Sequence, residues 1–195
     1  MTQEKKVMSE QDRDRLNFAS EATTAFVFLN DLGFLQVESL PTLVRYRKDD
    51  VEIVVNHGRL SYEIGADISY RGKQYALAEI VRAIDPDAAK QCGLMASTTE
   101  GVAMGLEELG SLMKRYGVAA LQGDPQFFST LEGKRKVWVE EYWLDGLARQ
   151  LRPQAEDAFR RGDYVAAVEL YARIRSRLSP AETKKLQLAE ERSKR

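Results

Sequence analysis

Glu52, Glu63 and Asp67 fall on the polar side of a run with period-two alternation, where neighbouring strands would gather them into one acidic patch. Such a patch can hold a metal ion or meet a basic protein surface. Solvated acid is the competing reading, because most surface carboxylates simply sit in water. Candidates for nucleophile or base are scarce. The chain has one histidine, His57, and one cysteine, Cys92. His57-Gly58 reads as the tip of a tight hairpin, with Gly58 taking the positive φ such a loop needs. A turn role therefore outweighs general-base work, which needs a positioned partner and a cleft. Cys92 lies in Gln91-Cys92-Gly93-Leu94 without reactive neighbours, and reads as a small buried hydrophobe. One histidine and one cysteine exclude the usual zinc sets. Gly101, Gly105 and Gly110 form no phosphate loop, and no Gly-x-Gly-x-x-Gly or Gly-x-Ser-x-Gly is present. They sit in a helical pattern, where small residues permit close packing. The expectation is a protein that is not an enzyme and uses no cofactor, metal ion included.

Composition sets the frame around these residues. Of 195 residues, 44% are hydrophobic and 30% charged, which is ordinary for a folded domain. Lys plus Arg total 29 against 30 for Asp plus Glu, so no global field draws the chain to nucleic acid or an anionic membrane. Arg45-Tyr46-Arg47-Lys48 and Lys134-Arg135-Lys136 are short basic runs that read as solvated charge. No apolar stretch approaches the roughly 20 residues a bilayer requires, and Met1 to Asp14 lacks the apolar run of a signal peptide. A lone cysteine cannot form an internal disulfide, which fits a reducing compartment. The reading is cytoplasmic.

The elements that would position these residues follow from periodicity. Residues 1–7 read as a disordered tail, with Ser9 and Asp12 as a weak helix start. Phe18, Ala22, Phe26, Leu29 and Leu32 recur at helical spacing, and Gly33 is placed to stop the helix. The period then switches to two. Val44 and Tyr46, then Val51, Ile53 and Val55, then Leu60 through Ile68, predict an antiparallel meander of three or four strands, with turns at 48–50 and 70–73. Gln74-Tyr75 can add a short edge strand. The first helix is the natural cover for its apolar face. Leu77, Ile80, Val81 and Ile84 form a short helix stopped at Asp85-Pro86. Thr98 or Thr99 caps the next helix, which ends at Gly117. Asp124-Pro125 opens another, and Lys136 to Gln150 forms one whose apolar face is too wide for a single contact, placing it at the centre of a helical half. The fold class is α+β, with an α/β domain over 8–90 and a helical region over 98–195.

Arg152 to Arg195 carries the clearest local signal. Pro153 fits a first helical turn. Gly162 can end that helix in the left-handed conformation, and Asp163 can cap the next. Ser179-Pro180-Ala181-Glu182 is a capping box for a last helix. The run Ala-x-x-Ala-Phe-x-x-Gly-Asp-Tyr-x-x-Ala-Val-x-Leu-Tyr resembles the core of a tetratricopeptide repeat. Ala155, Gly162, Ala167 and Tyr171 match that family's small residue, turn glycine, packing alanine and aromatic. Leu151, Ala158 and Ile174 depart from it. The resemblance covers about 30 residues, and no second copy follows, whereas about three such units make a peptide groove. The hairpin either packs as structure alone or holds a partner through residues such as Tyr164 and Tyr171.

The first half resembles bacterial immunity-type, toxin-neutralising proteins. The residues that carry this are Phe26, Phe28, Leu29, Leu32, Gly33 and Phe34, followed by Val44-Arg45-Tyr46 and Ser61-Tyr62-Glu63-Ile64. That resemblance implies a protein partner, a toxin or secreted effector, occluded by a charged surface. Glu52, Glu63 and Asp67 would then suit a basic nuclease. A scaffold or adaptor, homo-oligomeric or not, is the alternative, and a carboxylate-metal enzyme the third reading.

Overall fold

A computed structural model describes residues 14–58 and 61–194. The expected tail over 1–7 and the helix start at Ser9 and Asp12 lie outside these residues, as does Leu60. The chain forms two compact units that divide between Glu132 and Gly133.

The first unit opens with helices α1 (Phe18–Ala25) and α2 (Phe28–Asp31). Phe18, Ala22, Phe26 and Leu29 are buried as their spacing predicts, while Leu32 is exposed. Gly33, at φ 84°, ends the pair as expected. Strands β1 (Leu35–Leu40), β2 (Leu43–Lys48), β3 (Val51–His57), β4 (Glu63–Tyr70) and β5 (Lys73–Ala76) follow as an antiparallel meander. After helix α3 (Leu77–Ile84) and a 3-10 turn at Ala88–Cys92, the two-residue strand β6 (Leu94–Met95) pairs with β4 to complete a six-stranded sheet. The fold is α+β. Strand β1 goes beyond the expected meander. Its alternation is weak because it is an edge strand, exposed on both faces and interrupted by a bulge between Gln36 and Glu38.

Across β2, β3 and β4 one face of the sheet is apolar. Val44 and Tyr46 of β2, Ile53 and Val55 of β3, and Ile64 and Ile68 of β4 are all buried. Helix α4 (Thr99–Tyr116), capped by the Thr98 hydroxyl on the Gly101 N–H, packs on α1 and β4 beside α3. These contacts run across the expected gap between residues 90 and 98, and the division between the units falls later, between Glu132 and Gly133. A Cβ on Gly105 would stand 2.8 Å from Ile64 Cδ1, and one on Gly110 would stand 2.9 Å from the Ala25 carbonyl oxygen. These glycines bring helix and sheet together, the packing role their pattern suggested.

The short helix α5 (Val118–Leu121) leads to α6 (Pro125–Arg160), a single helix of 36 residues. It replaces the three separate helices expected around Pro125, Lys136–Gln150 and Pro153. Pro153 lies inside it instead of starting a new helix. Inside the helix proline has no N–H for the Arg149 carbonyl and its ring crowds that oxygen, a cost of about 3 kcal/mol that the helix carries. Through Glu132 this helix belongs to the first unit, where Phe128 stacks on Tyr70 with centroids 4.4 Å apart.

The second unit contains the rest of α6, then α7 (Tyr164–Arg173) and α8 (Pro180–Arg192). The turn between α6 and α7 follows the sequence. Gly162 is left-handed at φ 79°, and the Asp163 carboxylate accepts from the Ala166 N–H at 3.1 Å. Ser179 and Glu182 make the expected reciprocal cap of α8, at 2.6 and 3.2 Å. Ala155, Ala158, Ala167, Tyr171, Leu186 and Ala189 form the core.

The two glycine contacts differ in what must move. Gly110→Ala is expected to destabilise the protein by about 1–3 kcal/mol, because the Ala25 backbone cannot retreat. Gly105→Ala should be close to neutral: the Ile64 methyl can turn aside, and alanine regains about 0.5–1 kcal/mol of helix propensity. Urea unfolding of both variants checks the ranking.

Candidate functional site

Two surfaces have the chemistry to bind something: the polar face of the sheet in the first unit and one stripe of α6 in the second.

Alternation along β3 and β4 turns Glu52, Glu63 and Asp67 to the same face, opposite the buried one, as expected. Their surroundings separate them. Glu52 receives Arg45 Nη1 at 2.5 Å and Arg47 Nη2 at 2.6 Å, and Arg45 Nε also reaches Glu38 at 2.9 Å. The guanidinium of Arg47, with that of Arg45, holds the Glu52 carboxyl below the usual carboxylate range. Cross-strand register builds this ladder, since Arg45 lies opposite Glu38 and Arg47 opposite Glu52. The basic run Arg45–Lys48, expected to be solvated charge, therefore spends two of its cations on Glu52. The acidic patch is not continuous.

Asp67 is shifted the opposite way from Glu52. Burial pushes it above its usual range, against the hydrogen bonds of Gln74 and Asn56. Asn56 Nδ2 lies 3.4 Å from its Oδ2. Asp67 lines a cleft of about 290 Å³ with Asn56, Ser61, Glu63 and Gly65 on the polar side and Leu77 and Cys92 deeper in. The cleft exists because β5 pairs only from Asp67 onward and β6 only at Glu63 and Ile64, leaving β4 without a partner strand on that side at Gly65 and Ala66. A desolvated carboxylate in a cleft marks a candidate binding site. Among the described residues, no three His, Cys, Asp or Glu side chains come together in a way that could hold a metal ion.

His57 is not at a hairpin tip. It ends β3 and is buried, with Nε2 2.8 Å from the Ala96 carbonyl oxygen and its ring stacked on Phe18 at 5.8 Å. A carbonyl only accepts, so Nε2 carries a proton. The β3–β4 connection begins at Gly58 and is longer than a two-residue turn, and the left-handed φ of 55° falls on Tyr62, not on Gly58. Cys92 is buried as expected, and burial first, then Glu108, pushes its thiol up, away from the reactive thiolate.

The proposed partner residues of the C-terminal hairpin are also relocated. Tyr171 is fully buried in the core of the second unit, so it presents nothing to a partner. Tyr164 is half-buried, set edge-on against Phe159 at 5.7 Å, with Arg192 Nη1 2.5 Å from its hydroxyl. Both aromatics hold the hairpin to α8.

What the spacing did not single out is the exposed stripe of α6. Val139, Tyr142 and Trp143 are 65%, 77% and 61% exposed. With Gly146 they recur at i, i+3, i+4 and i+7, which places them on one helical face. The width of the apolar pattern over Lys136–Gln150 predicted burial. The second unit instead gathers its core from Ala148 onward, around Leu151, Ala155 and Ile174, and leaves this stripe outside. Compared with protein-family profiles, curated proteins and solved structures, the chain finds no match. Among the described residues, no helix is long and apolar enough to cross a membrane.

The two carboxylates have opposite linkage to pH. The lowered carboxyl of Glu52 contributes stability above its unfolded range, lost as pH falls through its folded value. Glu52→Gln should therefore cost under about 1 kcal/mol at neutral pH and nothing in acid. The raised carboxyl of Asp67 works the other way, favouring the fold at low pH and losing that advantage as pH rises. Asp67→Asn should match the parent in acid and exceed it at neutral pH. Denaturation midpoints across pH 3 to 7 distinguish the two.

Proposed function

We propose that the chain is a non-catalytic protein-binding module, acting as a scaffold or adaptor through the α6 stripe. One observation carries this reading: three large apolar side chains, two of them aromatic, stand exposed on a single helical face. Tyrosine and tryptophan dominate binding energy at protein interfaces, because each buries a large area for few lost rotamers. Anchors at i, i+3, i+4 and i+7 are the pattern by which a helix is read by an apolar groove or another helix. The tetratricopeptide-like hairpin then serves as the base that holds the stripe, its own aromatics being packed inward. A cytoplasmic setting fits the buried, unreactive thiol of the lone cysteine.

The immunity-type reading draws on the other surface. Its support is the desolvated Asp67 beside exposed Glu63 at the cleft on β4, which could meet a basic group of a toxin. Neutralisation of Glu52 by two arginines leaves that surface with less charge to offer than the sequence suggested.

The double variant Tyr142→Ala, Trp143→Ala tests the first reading. Each exposed substitution should change unfolding free energy by no more than about 0.5 kcal/mol, while chemical cross-linking of the full chain to its partner in the cells of origin is lost. A stability loss above about 2 kcal/mol would show that the chain covers these side chains itself, and the reading would fall.

A further inference from the structure

We propose that the cleft beside β4 binds a primary alkylammonium group, with the nitrogen seated at Gly65 between Glu63 and Asp67 and the alkyl chain on the apolar floor. The site is separate from the α6 stripe and stands without the binding-module reading.

Gly65 is the residue that points to a ligand. It lies inside β4, where glycine weakens a strand because it brings no side chain to pack. Its backbone is not left-handed, so no turn requires it. A Cβ there would come no nearer to its surroundings than 3.4 Å, at Asn56 Oδ1, so packing does not require it either. Gly105 and Gly110 differ in this, since a Cβ on either would stand under 3.0 Å from a neighbour. Alanine would fit at 65, and its methyl would project between Glu63 and Asp67 into the mouth of the cleft. What glycine keeps at this position is open space, and close approach of a ligand is a recurrent reason for a glycine within a strand.

Acceptors surround that space. Asn56 faces Gly65 across the strands. Its Nδ2 donates to Asp67 Oδ2 at 3.4 Å, which leaves Oδ1 as the atom nearest the vacant place. Glu63 and Asp67 follow on either side along the same face. Ionised carboxylates and an amide oxygen only accept, so the occupant must donate in several directions at once. An ammonium carries three donors about one nitrogen and no acceptor. A guanidinium holds its donors in one plane and suits a single carboxylate met side-on. No lysine or arginine is among the described residues that line the cleft, so the matching charge has to come from outside it. Burial has already stripped water from Asp67, and a cation seated there compensates the carboxylate.

The floor sets the rest of the ligand. Leu77, Cys92 and Leu109 are buried at the base of the cleft and offer an alkyl chain apolar contact. A volume of about 290 Å³ lies at the lower end of ligand pockets, which run from about 300 to 1,000 Å³, and suits a chain of a few carbons.

Titration of the full chain with n-butylammonium chloride tests the inference, followed by the proton–nitrogen resonances of the Gly65 amide and the Asn56 side-chain amide. Both should shift and saturate. Tetramethylammonium, which has the charge without an N–H donor, should leave them unmoved at equal ionic strength. Asp67→Asn should weaken binding about tenfold. Gly65→Val suits a strand and should fold as the parent does, yet lose the shift at Asn56. Gly65→Ala serves if the valine variant does not fold, and should bind more weakly than the parent. Lysine blocked as N-acetyl-lysine N-methylamide separates two sources of the group. If it binds as tightly as butylammonium, the cleft takes a lysine side chain of another protein, which favours the immunity-type reading. If butylammonium alone binds, the cleft takes a free amine. The absence of a saturable shift overturns the inference, as does an equal shift with tetramethylammonium or a folded Gly65→Val that binds like the parent. Tyr142→Ala, Trp143→Ala should bind the amine unchanged, so failure at the cleft leaves the α6 reading standing.

Discussion

The first unit depends on how closely one helix can approach another. Helix α4 crosses α1 where Gly110 meets the Ala25 carbonyl, and it reaches the sheet where Gly105 meets Ile64. No larger residue fits at Gly110 without moving backbone. The apolar face of a single antiparallel sheet must be covered, and α1 alone is too short to cover it. With α4 held at glycine distance on β4, Leu106, Leu109 and Met113 are buried. The polar face follows from the same constraint, because alternation sends to it whatever the buried face does not take.

That polar face shows how geometry overrides a reading of charge. Three acids share it, as period two requires. Register then places Arg45 and Arg47 where they answer Glu38 and Glu52, a pairing set across strands and invisible along one of them. Asp67 differs because the sheet thins beside it, a result of where β5 ends and β6 begins. Burial of that carboxyl is therefore a property of topology, with no trace in its sequence neighbours.

Much of the architecture was legible where one local rule dominated. The Phe18–Leu29 spacing, the Gly162-Asp163 turn, the Ser179–Glu182 cap and the Asp85 stop each rest on chemistry within a few residues, and each is present. The failures lie where distant contacts decide. Strand β1 was hidden by a bulge and a doubly exposed edge. His57 looked like a turn residue because its cover, Phe18 and Ala96, comes from 39 residues away on either side. Tyr164 and Tyr171 looked like partner contacts until α8 closed over them. The widest apolar pattern in the chain proved to be only partly core, since hydrophobicity around a helix records what needs covering and not which molecule covers it.

The burial of His57 has a practical consequence. It is the chain's sole histidine and therefore its sole imidazole. It sits where α1, the end of β3 and the segment leading into α4 come together. One nitrogen-bound proton, held on the Ala96 carbonyl, thus gives a single nuclear magnetic resonance signal well separated from the amides. That signal follows the packing of the first unit alone, whatever becomes of the second, and it needs no engineered label.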